Sequence, residues 1–134
     1  NAGVGPEEID LTGSYDAFTF TTMLQLEDYG FCKKGDGGHY VSDGTMRLGG
    51  KRPNNTSGGH LCEGYTHGIS MVIENVRQLR HDADDSCPIG PDGKRQHTYD
   101  YREGGCRQVR KCEVSTNMGW ANPGTGSAMV MRNE

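Results

Sequence analysis

The side chains best suited to chemistry lie in one glycine-dense segment, residues 54–68 of the 134-residue chain. Five groups that can carry a proton or act as a nucleophile occur there within eight residues: His60, Cys62, Glu63, Tyr65 and His67. The pair Gly58 and Gly59 predicts a tight turn just before a helix. Backbone N–H groups at such a turn, with the helix dipole behind them, can bind an anion or a developing oxyanion.

The helix that follows this turn is the clearest element of the sequence. Its apolar residues recur at spacings of three and four: Ile69, Val72, Ile73, Val76 and Leu79. This spacing predicts an amphipathic helix over residues 69–79. Near the start of the chain, residues 8–15 alternate like a short strand. Asp16 is the predicted N-cap of a second helix over residues 17–29, which Gly30 ends.

The remaining segments predict loops and strands. Residues 32–53 form an irregular excursion with a short strand or hairpin near residues 39–46. Residues 81–105 are polar and form a long insertion, either a solvent-facing loop or an arm that covers the site or binds a partner. Residues 107–115 and 126–132 are predicted strands, joined by a glycine- and proline-rich turn. The order strand, helix, loop, helix, strand, strand is typical of an α/β fold in one domain, residues 1–134.

Composition narrows the possible classes of protein. Only 32% of the residues are hydrophobic and 21 are glycine, which is little apolar surface for an independent core. A loop-rich domain, a partly disordered chain and a piece of a larger assembly are all compatible with this; we favour the last. The net charge of −4 with dispersed basic residues gives no sign of nucleic-acid binding, and no apolar run is long enough to span a membrane.

The cysteine pattern predicts reduced thiols in a cytoplasmic protein. Five cysteines occur and none forms a Cys-x-x-Cys pair, which argues against a disulfide framework and a structural zinc site. A metal site built from His39, His60, Cys62 and His67 has no zinc-like spacing. We therefore expect no metal.

Three motifs in order resemble the C-terminal half of a thiolase-fold enzyme, and the resemblance covers essentially the whole chain. Residues 15–18, Tyr-Asp-Ala-Phe, resemble the thiolase Asn-Glu-Ala-Phe motif. Residues 58–65 resemble the Gly-Gly…Gly-His-Pro motif. Residues 117–119, Asn-Met-Gly, followed by Gly-Thr-Gly at 124–126, resemble the terminal Cys-x-Gly-x-Gly turn. The resemblance implies a mixed sheet layered by helices, with its active site between two pseudo-equivalent halves.

The departures from the thiolase motifs point to a different reaction. Tyr15, Tyr65 and Asn117 stand where degradative thiolases have their oxyanion-hole asparagine and histidine and their acid/base cysteine. The two tyrosines resemble those of the lipid-transfer-protein-type aldolases of bacterial steroid side-chain degradation. This resemblance implies retro-aldol cleavage of a β-hydroxyacyl-CoA. It also implies a coenzyme A thioester as substrate, no covalently bound cofactor, a homodimer of the complete protein, and a small OB-fold partner of the zinc-ribbon type.

The roles of these residues follow from the needs of that reaction. A retro-aldol step requires a base for the β-hydroxyl proton and donors for the enolate. A phenol with a pKa of about 10 is a competent donor and a poor base unless its neighbours favour the phenolate. We expect Tyr15 and Tyr65 to share these roles, without an assignment of which is the base, and His67 to tune or relay the Tyr65 proton. Gly58, Gly59, Asn117 and Gly119 are candidate oxyanion donors, although Asn117 and Gly119 fit a purely structural turn equally well.

Each candidate also has an ordinary structural explanation. Tyrosines are commonly half-buried and histidines commonly cap or hydrogen-bond, so we give His60 no catalytic role. Cys62 is better explained as a small buried residue. Two other functions also fit: a thiolase acyltransferase that acts on a β-ketoacyl-CoA, and a non-catalytic thiolase-like scaffold that holds a partner through residues 81–105.

Overall fold

A mixed three-stranded sheet forms the centre of the fold. The computed structural model describes residues 2–64, 66–96, 106–121 and 125–134. The strands are β1 (Leu11–Ser14), β2 (Val114–Trp120) and β3 (Gly126–Arg132), in the order β1-β2-β3. β1 runs parallel to β2, with Gly13 opposite Asn117, and β2 runs antiparallel to β3, with Asn117 opposite Met129. Asp10 stabilises the pairing of β1 with β2, because its Oδ2 accepts hydrogen bonds from the N–H groups of residues 113 and 114 at 2.9 and 3.0 Å.

The described residues form three α-helices: α1 (Thr19–Asp28), α2 (Gly37–Ser42) and α3 (Ile69–Leu79). α1 and α3 pack on the sheet, and α2 packs on α1. Short 3-10 turns cover Pro6–Glu8, His60–Cys62 and Asp82–Ser86. α1 packs on one face of the sheet, next to β1, where Ser14 Oγ lies 3.3 Å from Thr22 Oγ1. α3 packs on the opposite face, and its Asn75 side chain donates to the Thr116 carbonyl at 3.0 Å. No helix of the described residues is both long and apolar enough to cross a bilayer.

The buried apolar cluster lies under the C-terminal end of α3. Its members are Leu11, Leu79, Val109 and Cys112, with Met131 packed against them. Beside it, Gln78 is fully buried and bonds the backbone of the segment before β2: Val109 N–H donates to Gln78 Oε1 at 2.8 Å, and Gln78 Nε2 donates to the Arg107 carbonyl at 2.8 Å. This segment therefore pairs with a helix side chain rather than with a strand.

Several sequence predictions of secondary structure are confirmed. Residues 69–79 form α3 and residues 126–132 form β3, both with the predicted bounds. β1 lies within the predicted strand at 8–15, and Gly30 follows α1 with a φ of 81°. Predicted helix 17–29 begins later than expected, since Phe18 and not Asp16 occupies the N-cap position.

Three other predictions were wrong. Residues 37–42 form helix α2 where a strand or hairpin was expected, and Gly37 N–H at its start donates to Glu27 Oε1 at 3.0 Å. The strand predicted at 107–115 begins only at Val114, because Gln78 binds the backbone before it. Residues 117–120 of the turn predicted at 117–126 belong to β2, and Gly126 begins β3, while residues 122–124 lie outside the described part of the chain.

The described residues of the polar insertion contain a short helical turn and a disulfide, and the disulfide contradicts the expectation of reduced thiols. Residues 82–86 form a 3-10 turn with Ala83 buried, and Ile89 pairs with Arg95 across a turn. Residues 97–105 lie outside the described part of the chain. Cys87 and Cys106, both buried, form a disulfide that closes the insertion, while Cys32, Cys62 and Cys112 are free thiols. Sequence spacing missed this pair because its partners lie 19 residues apart.

Candidate functional site

Tyr15 leaves the carboxyl end of β1 with its backbone held on both sides. Its N–H donates to Gln25 Oε1 and to the Met118 carbonyl, each at 3.0 Å. Its carbonyl accepts from Gln25 Nε2 at 2.8 Å and from Thr21 Oγ1 at 3.2 Å. Gln25 and Thr21 are both buried on α1. The first helix therefore fixes the point from which the Tyr15 ring projects.

The Tyr15 ring packs between the start of α3 and the glycine turn. Gly68, the N-cap of α3, has a φ of 90°, and a Cβ there would lie 3.3 Å from Tyr15 Cδ2. On the other side, the ring centroids of Tyr15 and His60 are 4.6 Å apart with an interplanar angle of 67°. This edge-to-face arrangement is a favourable one for two aromatic rings.

Two adjoining open cavities, of about 740 and 350 Å³, meet at Tyr15. Both are lined by the same four residues: Tyr15, His67, Trp120 and Ala121. The larger also contacts Asp16 and His60, and the smaller contacts Gly119. The fold thus brings together Tyr15, His67 and Gly119, three residues predicted from the sequence.

His67 adopts a backbone conformation that is uncommon for a residue with a side chain. Its φ is 52°, in the left-handed region. It is exposed in the cleft and immediately precedes the N-cap of α3. Asn55 and His81 share this region, with φ of 49° and 59°, and neither lines either of the two cavities at Tyr15.

The glycine turn does not offer the anion site that its sequence predicts. Gly58 N–H donates to the Asn55 carbonyl at 2.8 Å, and Gly58 lines a different cavity. His60 N–H donates to Asp16 Oδ1 at 3.2 Å. Gly59 has a φ of 69°, and a Cβ there would overlap the Asp16 carboxylate. The anion at this turn is the chain's own Asp16, which also explains why Asp16 does not cap α1.

Asn117 does not lie in the turn that the sequence predicts. It occupies the middle of β2, between Gly13 and Met129, and does not line either of the two cavities at Tyr15. Gly119, two residues further on, reaches the smaller cavity. A Cβ on Gly119 would lie 2.5 Å from Ser127 Oγ, so a side chain at this position would require the Ser127 hydroxyl to move.

The structure describes the glycine-dense segment on both sides of Tyr65. Tyr65, a predicted catalytic residue, lies outside the described residues. Cys62 is exposed, contrary to its predicted burial. Burial raises the pKa of the Glu63 carboxyl, but the neighbouring hydroxyls of Ser57 and Ser70 and the Arg77 charge outweigh it, so this pKa lies below its usual value.

Sequence reasoning missed three residues of the cleft. Asp16 was interpreted as a helix cap, His60 was given no catalytic role, and Trp120 was not considered, although it is the single tryptophan. Of these three, only Asp16 carries a sequence signal for the cleft, because it directly follows Tyr15. In the described part of the chain no group of three or more His, Cys, Asp or Glu side chains is arranged to hold a metal ion.

Comparison with known proteins adds independent findings. The sequence profile described as thiolase C-terminal domain-like matches residues 1–89. The chain is 44% identical over 79 residues to the 17-hydroxy-3-oxo-4-pregnene-20-carboxyl-CoA lyase of Mycobacterium tuberculosis. It is 40% identical over 79 residues to a steroid side-chain-cleaving aldolase of Thermomonospora curvata. Each match covers 59% of this chain and 20% of the relative, so the matched part of the chain spans about a fifth of the length of these proteins.

A solved structure extends the similarity beyond the matched sequence. An Ltp2–ChsH2(DUF35) aldolase superposes with a TM-score of 0.72 and 26% sequence identity over 98% of this chain and 28% of that one. The prediction of an α/β, thiolase-type C-terminal fold with a mixed sheet is therefore confirmed. With a family match over most of its residues and the same architecture, the chain belongs to the thiolase C-terminal domain-like family.

Proposed function

We propose that this chain is part of a thiolase-fold enzyme that cleaves a carbon–carbon bond of a CoA thioester by a retro-aldol reaction. The observation that carries the proposal is the Tyr15 ring in a cleft beside His67, at the motif position where a Claisen-type thiolase has asparagine. The names of the relatives, a carboxyl-CoA lyase and a side-chain-cleaving aldolase, support it. By that similarity the substrate is a β-hydroxyacyl-CoA with a bulky, steroid-like acyl group.

The reaction needs two proton-handling groups and a stabilised enolate. A base removes the β-hydroxyl proton, the bond between the α and β carbons breaks, and a ketone or aldehyde leaves. The electron pair moves onto the thioester as an enolate, which hydrogen-bond donors stabilise and which is then protonated at the α carbon. No free CoA is consumed. Tyr15 and Tyr65 supply the phenols, His67 tunes or relays a proton, and the Gly119 edge of the cleft faces the thioester.

The complete site requires more than this chain. The cleft at Tyr15 is open, with Phe18 and Leu61 at its rim 61% and 97% exposed. A second thiolase half would close the cleft and exclude water from the enolate. The similar solved structure is an Ltp2–ChsH2(DUF35) aldolase, whose name joins two components, and this supports a partner subunit. A small OB-fold partner, a homodimer and a cytoplasmic location belong to the same proposal.

The experiment uses the full-length natural protein, purified with any subunit that co-purifies. It is incubated with steroid-type β-hydroxyacyl-CoA and β-ketoacyl-CoA thioesters, with and without free CoA. Release of a ketone or aldehyde from the hydroxyacyl substrate without CoA is the expected result. Strict dependence on CoA with the ketoacyl substrate would instead identify a thiolase. Absence of turnover in both, with the partner still bound, would identify the scaffold.

Two variants connect the activity to the cleft. Tyr15→Phe removes one phenol oxygen from it, and turnover should fall by about 100-fold or more, the contribution of a positioned proton-transfer group. Tyr40→Phe is the matched control, since the Tyr40 hydroxyl accepts a hydrogen bond from buried Arg52 away from the cleft. Equal turnover of the Tyr15→Phe variant and the wild type would refute the proposed role.

A further inference from the structure

An open pocket of about 390 Å³ lies at the opposite end of β1 from the Tyr15 cleft. Asp10 precedes the strand and Tyr15 follows it, so the strand separates the two sites by roughly 16 Å. The charged residues that line the pocket are Asp10, Lys51, Arg110 and Lys111. We call this site the basal pocket. It brings together two segments of the chain that are far apart in the sequence.

Positive charge predominates in the basal pocket, although the whole chain carries a net charge of −4. Lys51 and Lys111 are exposed, and in the part of the chain that the structure describes neither forms an ion pair. Asp10 is the acidic residue among the described lining residues, and its Oδ2 already accepts two backbone N–H groups of the neighbouring strand. The two ammonium groups therefore face solvent without a carboxylate partner.

The backbone that carries Lys51 is held on both sides. Arg52, the next residue, is 6% exposed, and its Nε donates to the Ile9 carbonyl at 2.8 Å. Gly50, the preceding residue, lies against the Gly44 carbonyl, which a Cβ at this position would overlap. The turn therefore fixes the point from which the Lys51 side chain enters the pocket.

The backbone that carries Lys111 is held by the core. Two residues earlier, Val109 N–H donates to Oε1 of the fully buried Gln78 at 2.8 Å. The next residue, Cys112, is fully buried in the apolar cluster. Both lysines thus extend from anchored backbone, and a ligand that binds between them has little of the chain to order.

We propose that the basal pocket binds a phosphate group between the Lys51 and Lys111 ammonium groups. A phosphate dianion offers several acceptor oxygens, and lysine binds phosphate as a compact point charge. Two lysines that share one concave pocket suit a compact anion better than an extended acidic segment of a protein. The proposal goes beyond the lyase reaction and does not depend on it, because neither lysine lines the cavities at Tyr15.

Calorimetric titration of the full-length protein with inorganic phosphate, at neutral pH and low ionic strength, tests the site. Lys51→Ala and Lys111→Ala should each weaken phosphate binding by about 10-fold, because each removes one charge-assisted contact. Asp10→Asn should tighten binding, since it removes the negative charge of the lining and retains an acceptor oxygen for the strand. Lys94→Ala is the matched control, because this exposed lysine does not line the pocket, and its phosphate affinity should equal that of the wild type.

Two further ligands identify the source of the phosphate. CoA carries a phosphate on its ribose, and dephospho-CoA lacks it. If CoA is the source, it should displace inorganic phosphate, and the two lysine variants should weaken binding of CoA more than binding of dephospho-CoA. If the source is a free phosphate compound, CoA should not displace inorganic phosphate. Either result supports a phosphate site.

Absence of phosphate binding to the wild type would overturn the proposal, and so would binding that both lysine variants leave unchanged. Binding of a glutamate-rich peptide that depends on these lysines and that phosphate does not inhibit would instead identify a protein-docking surface. Urea unfolding checks that the variants fold, and exposed lysines should leave the midpoint close to that of the wild type. A wild type without lyase activity that still binds phosphate would refute only the proposed function.

Discussion

Glu74 Oε1 accepts a hydrogen bond from Arg107 Nε at 3.1 Å on the buried face of α3. The same oxygen accepts from Thr56 Oγ1 and from Gln78 Nε2, each at 2.9 Å. Glu74 is 2% exposed. One carboxylate oxygen therefore joins α3 to the loop before the glycine turn and to the segment before β2, two regions far apart in the sequence.

Glu74→Ala should destabilise the fold, because it leaves the half-buried Arg107 guanidinium, the Thr56 hydroxyl and the Gln78 amide without their acceptor. The expected loss is about 2 kcal/mol in the free energy of unfolding, the range for buried donors that lose a hydrogen-bond partner. Glu74→Gln retains an acceptor oxygen and should lose less. Urea unfolding of the full-length protein measures both. Glu113→Ala, at an exposed glutamate, should change the midpoint little, and an equal loss there would contradict the assignment.

The bounds of α3 could be predicted from the sequence, but its buried face could not. Periodicity favours Ile69 and Ile73 as core residues, yet they are 53% and 45% exposed, while Glu74 and Gln78 are buried. The polar face is buried because its hydrogen-bond partners come from distant segments. No local pattern encodes those partners, and an apolar stripe indicates only that something covers it, not which part of the protein does.

The candidate site shows the same division between local and distant information. Tyr15 and His67 could be predicted from residue type and motif order, because both lie next to elements with clear local signals. Tyr15 directly follows β1, and His67 precedes the N-cap of α3. The Asp16–His60 contact could not, since it depends on a loop that Asn55 ties back to β1 from 41 residues away. β2 was misplaced for a related reason: its Asn117 and Gly119 favour a turn locally, and pairing with two strands overrides that preference.

Gly68→Ala should impair both stability and the site. Gly68 has a φ of 90°, which L side chains rarely adopt, and the new Cβ would press on the Tyr15 ring at 3.3 Å. A loss of about 1 kcal/mol or more in stability, with a fall in turnover, is expected. Gly38→Ala is the control, because nothing lies within 4 Å and the residue is inside α2, where alanine is favoured. Thermal unfolding and turnover are measured for both variants. Equal values for Gly68→Ala and Gly38→Ala would contradict the prediction.

The Cys112 thiol predicts a loss of stability at alkaline pH. Burial, and secondly the Asp10 charge, raise its pKa from 9.0 to about 12. Below pH 9 the thiol is protonated in both folded and unfolded chains. Between pH 9 and 12 only the unfolded chain ionises, so folding stability falls across that window. The free energy of unfolding, measured by urea titration across this pH window, should fall less steeply for Cys112→Ala than for the wild type. Cys62→Ala, which removes an exposed thiol, should not, and equal slopes for all three proteins would refute the prediction.

The Cys87–Cys106 disulfide should stabilise the folded chain by about 3 kcal/mol, the value typical for closing a loop of this size. It anchors residue 106 next to Arg107, whose N–H donates to Ser86 Oγ at 3.0 Å. Non-reducing peptide mapping should recover a cross-linked pair from oxidised protein. The double variant Cys87→Ala/Cys106→Ala should unfold at lower urea in oxidant and be insensitive to reductant. Cys32→Ala, at a free thiol, should remain sensitive to reductant; two separate thiol peptides from oxidised protein would contradict the pairing.

The exposed stripe of α3 predicts that the chain expressed alone will self-associate. Ile69 and Ile73 present adjacent apolar side chains to solvent, and the partly buried Val72 and Val76 continue the same face. Burial of two such residues on association is favourable by about 1.5–3 kcal/mol each. Ile73→Glu should therefore shift the chain toward monomer in light scattering, whereas Arg80→Glu, at an exposed position at the end of the helix, should not. In the full-length protein the same Ile73→Glu change should destabilise, because the stripe is then covered. A monodisperse wild-type monomer at high concentration would show that this face needs no cover.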